Sequence, residues 1–267
     1  MKKSVQSRLD QGVIKSLIKN NVDVYVFEEI DSTSQWVVER LSAGSVCTVL
    51  CVAETQKKGR GRSGRLWQSP AYSNIYMSFS YLADIELKNI AATSLVVGLA
   101  ITRVFKNLGI SGVTLKWPND ILLRGKKLAG VLIEAKTVGQ QLYLVVGIGI
   151  NVRNPEGFNV DSELGWEDLS AEGLGLADRS RIIAMVYDEC EKLMSSFVAN
   201  GFAMLKKEWE AVDEYAGKDV VVMDQNTVIA TGMGSGVDDY GCLLIKKDNT
   251  VKKVVCGDVS LRKSHEE

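Results

Sequence analysis

Histidine is almost missing from this sequence: the only one among 267 residues is His265, third from the carboxyl end. A terminal position, where chains are loosely held, removes triads with a histidine base and metal sites built on imidazole. Catalysis would fall to lysine, arginine, carboxylates and backbone dipoles. Paired cysteines are lacking too. Cys47, Cys51, Cys190, Cys242 and Cys256 are odd in number, scattered and never spaced as CxxC, so they read as buried thiols in a reducing compartment. No window approaches the ~20 apolar residues of a membrane span, and the lysines of MKKSVQSRLD lead into no apolar run; both point to the cytoplasm. An excess of either charge is missing as well. With 32 Lys+Arg against 33 Asp+Glu, no global basic field advertises a nucleic-acid or membrane surface.

What is present suffices for folding. A chain of this length that is 46% hydrophobic can bury one sizeable core, or a large domain with a small one attached. Periodicity predicts a helix over 8–20, a strand over 22–30 and a helix whose start carries Ser32 and Gln35 at capping-box spacing. Strands follow at 45–54 and 73–81, then a long apolar helix at 88–109 ended by Gly109. Strands are expected at 112–116, 120–123 and 127–135, with RGKK turning between the last two, and at 142–152. Residues 153–177 lose periodicity and read as a long surface excursion. Asp178 caps a helix to about 200, and 202–212 forms another. From 216 onward the texture is short alternating runs, a small all-β unit of roughly fifty residues. The expected domains are therefore 1–215 and 216–267.

Positive charge is concentrated in one place. KKGRGRSGRLWQS, residues 57–69, holds five cations, three glycines and no acid between two expected strands. Gly59, Gly61 and Gly64 spell GxGxxG, but Pro70 and the next strand stand where the dinucleotide-binding helix should open. Gly59 and Gly64 have P-loop spacing, yet Arg65 and Leu66 stand where Lys and Ser or Thr are required. Neither nucleotide motif applies. What survives is a choice between a solvated basic loop and arginines on glycine hinges that close over an anionic ligand, with Trp67 at the edge.

Three further stretches carry a functional reading beside a plain one. In KWPNDILL, Pro118 fixes a corner from which Asn119 and Asp120 can project, although Pro-Asn-Asp also suits an ordinary turn. In KKLAG, alternation puts Lys127 and Ala129 on one face where a ligand could approach, or leaves a solvated lysine at a hairpin end. In GIGIN, Gly147 and Gly149 inside a strand suggest close approach, or a bulge.

GRGRSGRLW, KWPND, KKLAG and GIGIN, in this order and with DST at 31–33 and Glu54-Thr55-Gln56 before the loop, resemble the biotin protein ligases over nearly the whole chain. The resemblance implies an α+β fold: a mixed sheet with helices like that of class II aminoacyl-tRNA synthetases, followed by a small SH3-like barrel. It implies activation of biotin by ATP to biotinyl-5'-AMP, with Mg²⁺ accompanying ATP on protein ligands that the sequence does not identify, then transfer to a lysine of the biotin carboxyl carrier protein of acetyl-CoA carboxylase. Ser32, Thr33, Ser34, Gln56, Gly59, Arg60, Gly61, Arg62, Trp67, Lys127, Gly130 and Gly149 would surround biotin. Arg62, Arg65, Asn119, Asp120, Asn151 and Arg262 would face the nucleotide, and Lys127 and Arg62 would be catalytic. Two departures stand out: Ser34 where the family often has asparagine, and Ser63 where it has a further arginine. About thirty residues precede DST, fewer than a DNA-binding domain needs, so no operator binding is expected. Homodimerisation is a family habit that the sequence leaves open.

The charge count fits. Biotin's carboxylate must approach the α-phosphate of ATP, and two unit charges at 4 Å repel by roughly 4 kcal/mol at an effective dielectric of 20. That is nearly three decades of rate at about 1.4 kcal/mol per tenfold. Lysine and arginine offset it without histidine. Lipoate or octanoate ligation on the same fold is the nearest alternative, and a nucleic-acid-binding regulator using the basic loop is the alternative outside enzymes.

Overall fold

A computed structural model describes residues 8–44, 47–158, 164–224, 227–255 and 259–263. His265, Cys256 and the expected start of the 45–54 strand lie outside them. In chain order the elements are α1 (Gln11–Leu17), β1 (Asp23–Ile30), α2 (Thr33–Ser42), β2 (Val49–Gln56), β3 (Ile75–Leu82), α3 (Ile90–Asn107), β4 (Val113–Lys116), β5 (Asp120–Leu123), β6 (Lys126–Val138) and β7 (Gln141–Ile150). Then come α4 (Arg179–Asn200), α5 (Ala203–Glu210), β8 (Asp219–Asp224), β9 (Thr227–Val237), β10 (Leu243–Lys247), β11 (Thr250–Val254) and β12 (Val259–Lys263).

The chain forms two compact units that interleave along the sequence, one from residues 1–84 and 126–189, the other from 85–125 and 190–267. The residues expected as a separate carboxyl-terminal domain fall within the second. In the first unit β1 runs parallel to β2, and β2, β3, β7 and β6 follow as antiparallel neighbours. The unbroken burial of β2 and β3 suits inner strands covered on both faces. Helix α2 closes one face: Val37 and Leu41 pack on Val49, Cys51, Tyr143 and Val145. Burial pushes the Cys51 thiol well up, leaving it inert.

One ion pair is wholly internal. Arg179, fully buried, reaches Glu54 at 2.6 Å and also donates to the carbonyl of Asn74 at 3.1 Å. Glu54 meanwhile accepts the backbone N–H of Leu9 at 2.6 Å, so the glutamate just before the loop holds the sheet to the helix and the entering chain.

The second unit is built on α3, with thirteen of its eighteen residues buried. It is the one described helix long and apolar enough to cross a membrane, but most of it is core. Gly109 takes a positive φ of 83° and Ile110 N–H returns to the carbonyl of Phe105, the glycine-ended termination the sequence indicates. Strands β4 and β5 form a hairpin. The antiparallel sheet β11-β10-β9-β8-β12 completes the unit.

Several local expectations are corrected. Helix α1 begins later than residue 8 because the Asp10 carboxylate caps it, accepting Val13 N–H at 2.8 Å. At α2 the capping box is half formed. Ser32 Oγ accepts Gln35 N–H, but the Gln35 amide turns to Glu39 at 2.9 Å. The Asp178 carboxylate turns back to Gly175 N–H, one turn before α4. Cys47 is exposed, whereas Cys51, Cys190 and Cys242 are buried. The 153–177 excursion is not all surface, since Asp168 and Leu169 are buried.

Candidate active site

The basic loop connects β2 to β3 and folds back on itself. Arg60 bridges Leu66 as in an antiparallel ladder, Gly61 N–H donates to the carbonyl of Arg65 at 2.7 Å, and Trp67 N–H to that of Gly59 at 2.9 Å. Of the three glycines only Gly64, with φ 71°, takes the left-handed region, next to Ser63 at φ 54°; Gly59 is required for space, because a Cβ there would lie 2.5 Å from the Trp67 carbonyl oxygen. Three ion pairs hold cations of the loop to other elements: Lys57 with Glu29 at 2.6 Å, Lys58 with Asp31 at 2.7 Å, and Arg60 with Glu134 at 2.6 Å. The hydrogen bond from Lys58 holds the Asp31 carboxyl below the usual carboxylate range. The loop's effective charge is therefore smaller than its composition implies. Arg62 and Arg65 lie at its tip, Arg62 partly exposed and Arg65 exposed.

Beneath the loop root lies a buried polar cluster. Thr33 donates to Gln56 Oε1 through its backbone N–H (2.9 Å) and its hydroxyl (3.1 Å), and its Oγ1 lies 2.8 Å from Ser78 Oγ. The Gln56 amide donates to Ser69 at 3.2 Å. Ser32 and Ser34 hydroxyls are 3.2 Å apart, and Ser34 accepts from Arg60 at 3.1 Å. Buried hydroxyls and amides in mutual contact make a surface able to exchange partners with the polar groups of a compact ligand.

Beside the cluster is a bare patch of sheet. The β6 and β7 register sets Gly130 opposite Gly149, and Trp67 lies on that pair. A Cβ on Gly149 would come 2.4 Å from Cε2 of the indole, and one on Gly130 would come 3.0 Å from Cζ3. Register is continuous on both sides of β7, so GIGIN is close approach rather than a bulge. At Gly147 a Cβ would meet only ordinary contacts. The Lys127 ammonium lies 5.3 Å from the Trp67 ring centroid and 3.5 Å from where a Gly130 Cβ would stand. Alternation points the Lys127 Cβ toward the Ala129 side, but the long side chain curls over the glycine face.

The missed part of the site comes from 165–169. Lys127 N–H donates to the carbonyl of Gly165, Glu167 N–H to that of Lys127 at 2.9 Å, and Leu169 N–H to that of Asn151. The buried Asn151 amide donates to the carbonyls of both Lys127 and Glu167 at 3.2 Å. Asn151 thus braces the backbone that presents Lys127.

Asn119, Asp120 and Arg262 belong to the second unit. There Trp117 is buried, donates from Nε1 to the carbonyl of Gly241 at 3.0 Å, and precedes a cis bond to Pro118, whose carbonyl accepts Ser94 Oγ at 2.8 Å. The corner is fixed, as Pro118 suggested, but mainly by buried hydrogen bonds. Asn119 and Asp120 are half-buried at its end, and Arg262 is exposed on β12. Ser32, Thr33, Ser34, Gln56, Gly59, Arg60, Trp67, Lys127, Gly130, Gly149 and Asn151 all fall in the first unit, in the linked contacts described above. Glu134, Ser78 and Glu167 join them without having been singled out. Among the described residues no group of three or more His, Cys, Asp or Glu side chains is arranged to hold a metal.

The biotin/lipoate A/B protein ligase family matches residues 26–151. The bifunctional ligase/repressor BirA of Escherichia coli is 35% identical over 246 residues, covering 90% of this chain and 74% of that protein. The biotin--[acetyl-CoA-carboxylase] ligase of Mycobacterium tuberculosis is 30% identical over 240 residues, covering 88% of this chain and 87% of its own. Among solved structures, the biotin protein ligase from Aquifex aeolicus in complex with biotin and ATP superimposes with a TM-score of 0.77 at 30% identity, over 91% of this chain and 99% of that one.

Proposed function

The chain belongs to the biotin protein ligase family, and on that premise we propose that it is an ATP-dependent ligase that makes biotinyl-5'-AMP and passes biotin to a carboxylase. The biotin carboxylate attacks the α-phosphate of ATP and pyrophosphate leaves. The acceptor's lysine amine then attacks the acyl carbon and AMP leaves. We assign the acceptor to a biotin carboxyl carrier protein.

What supports the assignment of roles is one juxtaposition: the Lys127 ammonium beside the indole of Trp67, over the Gly130 and Gly149 pair. A fixed cation on a glycine floor can meet both anions at the distance where they repel, and the indole keeps water from the acyl-phosphate once it forms. The hydroxyl and amide cluster at Ser32, Thr33, Ser34 and Gln56 would bind the biotin rings. Arg62 and Arg65 would serve the nucleotide, with Mg²⁺ entering on the ATP phosphates.

Pyrophosphate exchange into ATP tests the reading, with biotin, lipoate or octanoate supplied as the acid. Exchange with biotin at the lowest concentration is expected. Exchange driven only by lipoate or octanoate would overturn the biotin assignment.

A further inference from the structure

One contact on the loop that no assigned role uses is between Arg60 and Glu134. One guanidinium nitrogen of Arg60, Nη2, meets Glu134 Oε2 at 2.6 Å and Ser34 Oγ at 3.1 Å, so a single side chain of the loop spans to β6 and to the first turn of α2. Both partners of the ion pair are about one-third exposed. Arg60 Nε is buried and without a hydrogen-bond partner among the described residues. Arg60 is thus half satisfied, and its placement rests on Glu134.

The other attachments of the loop are at its roots. Lys57 and Lys58 pair with Glu29 and Asp31 where β2 ends, and Thr55 and Gln56 hold Ser69 where the chain leaves. Between those roots, the Arg60 side chain is anchored to β6, seven residues along the strand from Lys127. Exposed pairs such as Lys58 with Asp31 are worth little, whereas a short charged contact about two-thirds buried holds more firmly.

We propose that Glu134 is a positioning residue: by holding Arg60 it keeps the loop over the acyl-adenylate and sets how long that intermediate is retained. The proposal rests on the ligase reading. Glu134 touches no reacting atom and acts through Arg60 alone. Loss of the carboxylate should leave adenylate formation nearly unchanged and shorten retention, a split that a general loss of stability would not produce. The charge on the acceptor is lost when glutamate becomes glutamine, leaving a weaker hydrogen bond, so adenylate release should rise about tenfold.

The test uses the full chain with biotin and ATP, following formation of biotinyl-adenylate and its escape or hydrolysis in single turnovers. Glu134→Gln should release adenylate about tenfold faster with an unchanged unfolding midpoint, and in the ligand-free protein trypsin should cut faster within residues 57–65. Arg60→Gln should release adenylate at least as fast, and the double variant should be no worse than Arg60→Gln alone. Equal retention in wild type and either single variant overturns the proposal, as does additivity in the double variant. Should Glu134→Gln fail to fold, Glu134→Asp, which keeps the charge but draws it back from Arg60, decides by the same measure. A wild-type enzyme that forms no adenylate removes both ligase reading and proposal, whereas one that forms and retains it while the variants behave identically removes only the proposal.

Discussion

The loop at 57–69 and the corner at 117–120 both carry proposed site residues, and they are held by opposite means. The loop is fastened by partly exposed ion pairs and a short backbone ladder, with Arg65 and Leu66 in solvent. The corner is fastened by burial: Trp117 is 1% exposed, its indole N–H is satisfied by Gly241, and Gly241 sits so close to Ala92 that a Cβ would come 2.9 Å from its Cα. Surface pairs break at small cost, and buried aromatic packing does not. A ligase that must admit biotin and ATP, then exclude water, needs a part that opens and a part that never does.

The largest expected effect breaks the rigid side. Trp117→Ala should lower unfolding stability by about 3–5 kcal/mol, read by denaturant titration, because it removes a buried indole and strands the Gly241 carbonyl. Lys127→Ala should instead leave stability within about 0.5 kcal/mol and lower pyrophosphate exchange by roughly 10²–10³-fold, about 2.7–4 kcal/mol of transition-state stabilisation. Gly149→Val should cost about 1–3 kcal/mol by overpacking and unseat Trp67, seen as faster tryptic cutting of the loop.

The smallest effect sharpens the picture of the corner. Strand β4, leading into it, is bonded to 212–214: Leu115 N–H donates to the carbonyl of Val212 at 2.7 Å and Glu214 N–H to that of Leu115 at 2.8 Å. Burial there pushes the Asp213 carboxyl up to about 6, against the hydrogen bond it accepts from Tyr215 N–H. A carboxyl raised in the folded state binds its proton more tightly there than in the unfolded chain, so stability falls as pH rises from about 4 through about 6. Asp213→Asn should therefore be more stable than wild type by on the order of 1–3 kcal/mol at pH 7.5 and equal to it at pH 3.5, measured by thermal unfolding at both.

Much of this arrangement was legible in the residues. Glycines inside a strand allowed a close approach at Gly149 as well as a bulge, and Pro118 allowed a fixed corner as well as an ordinary turn. The occupant of that approach was not legible, because Trp67 reaches Gly149 only through a loop fold and a register that pairs Gly130 with Gly149. Glu134 was hidden for a similar reason. Its partner lies 74 positions away, and a glutamate in an alternating strand looks like any solvated acid. Residues 165–169 were misread as surface because they lack periodicity, yet backbone hydrogen bonds to Lys127 and Asn151 tie them to the site, and backbone bonding leaves no trace in composition. Loop charge was overestimated for want of Glu29, Asp31 and Glu134, the acids that neutralise it from other elements.

Amide hydrogen exchange on both segments, free and with biotin and ATP, tests the division of labour directly. Amides of 58–67 should exchange readily in the free protein and become strongly protected with both substrates, while those of 113–121 should be protected throughout and change little. Equal protection of the loop with and without substrates, or gain of protection in both segments together, would contradict it.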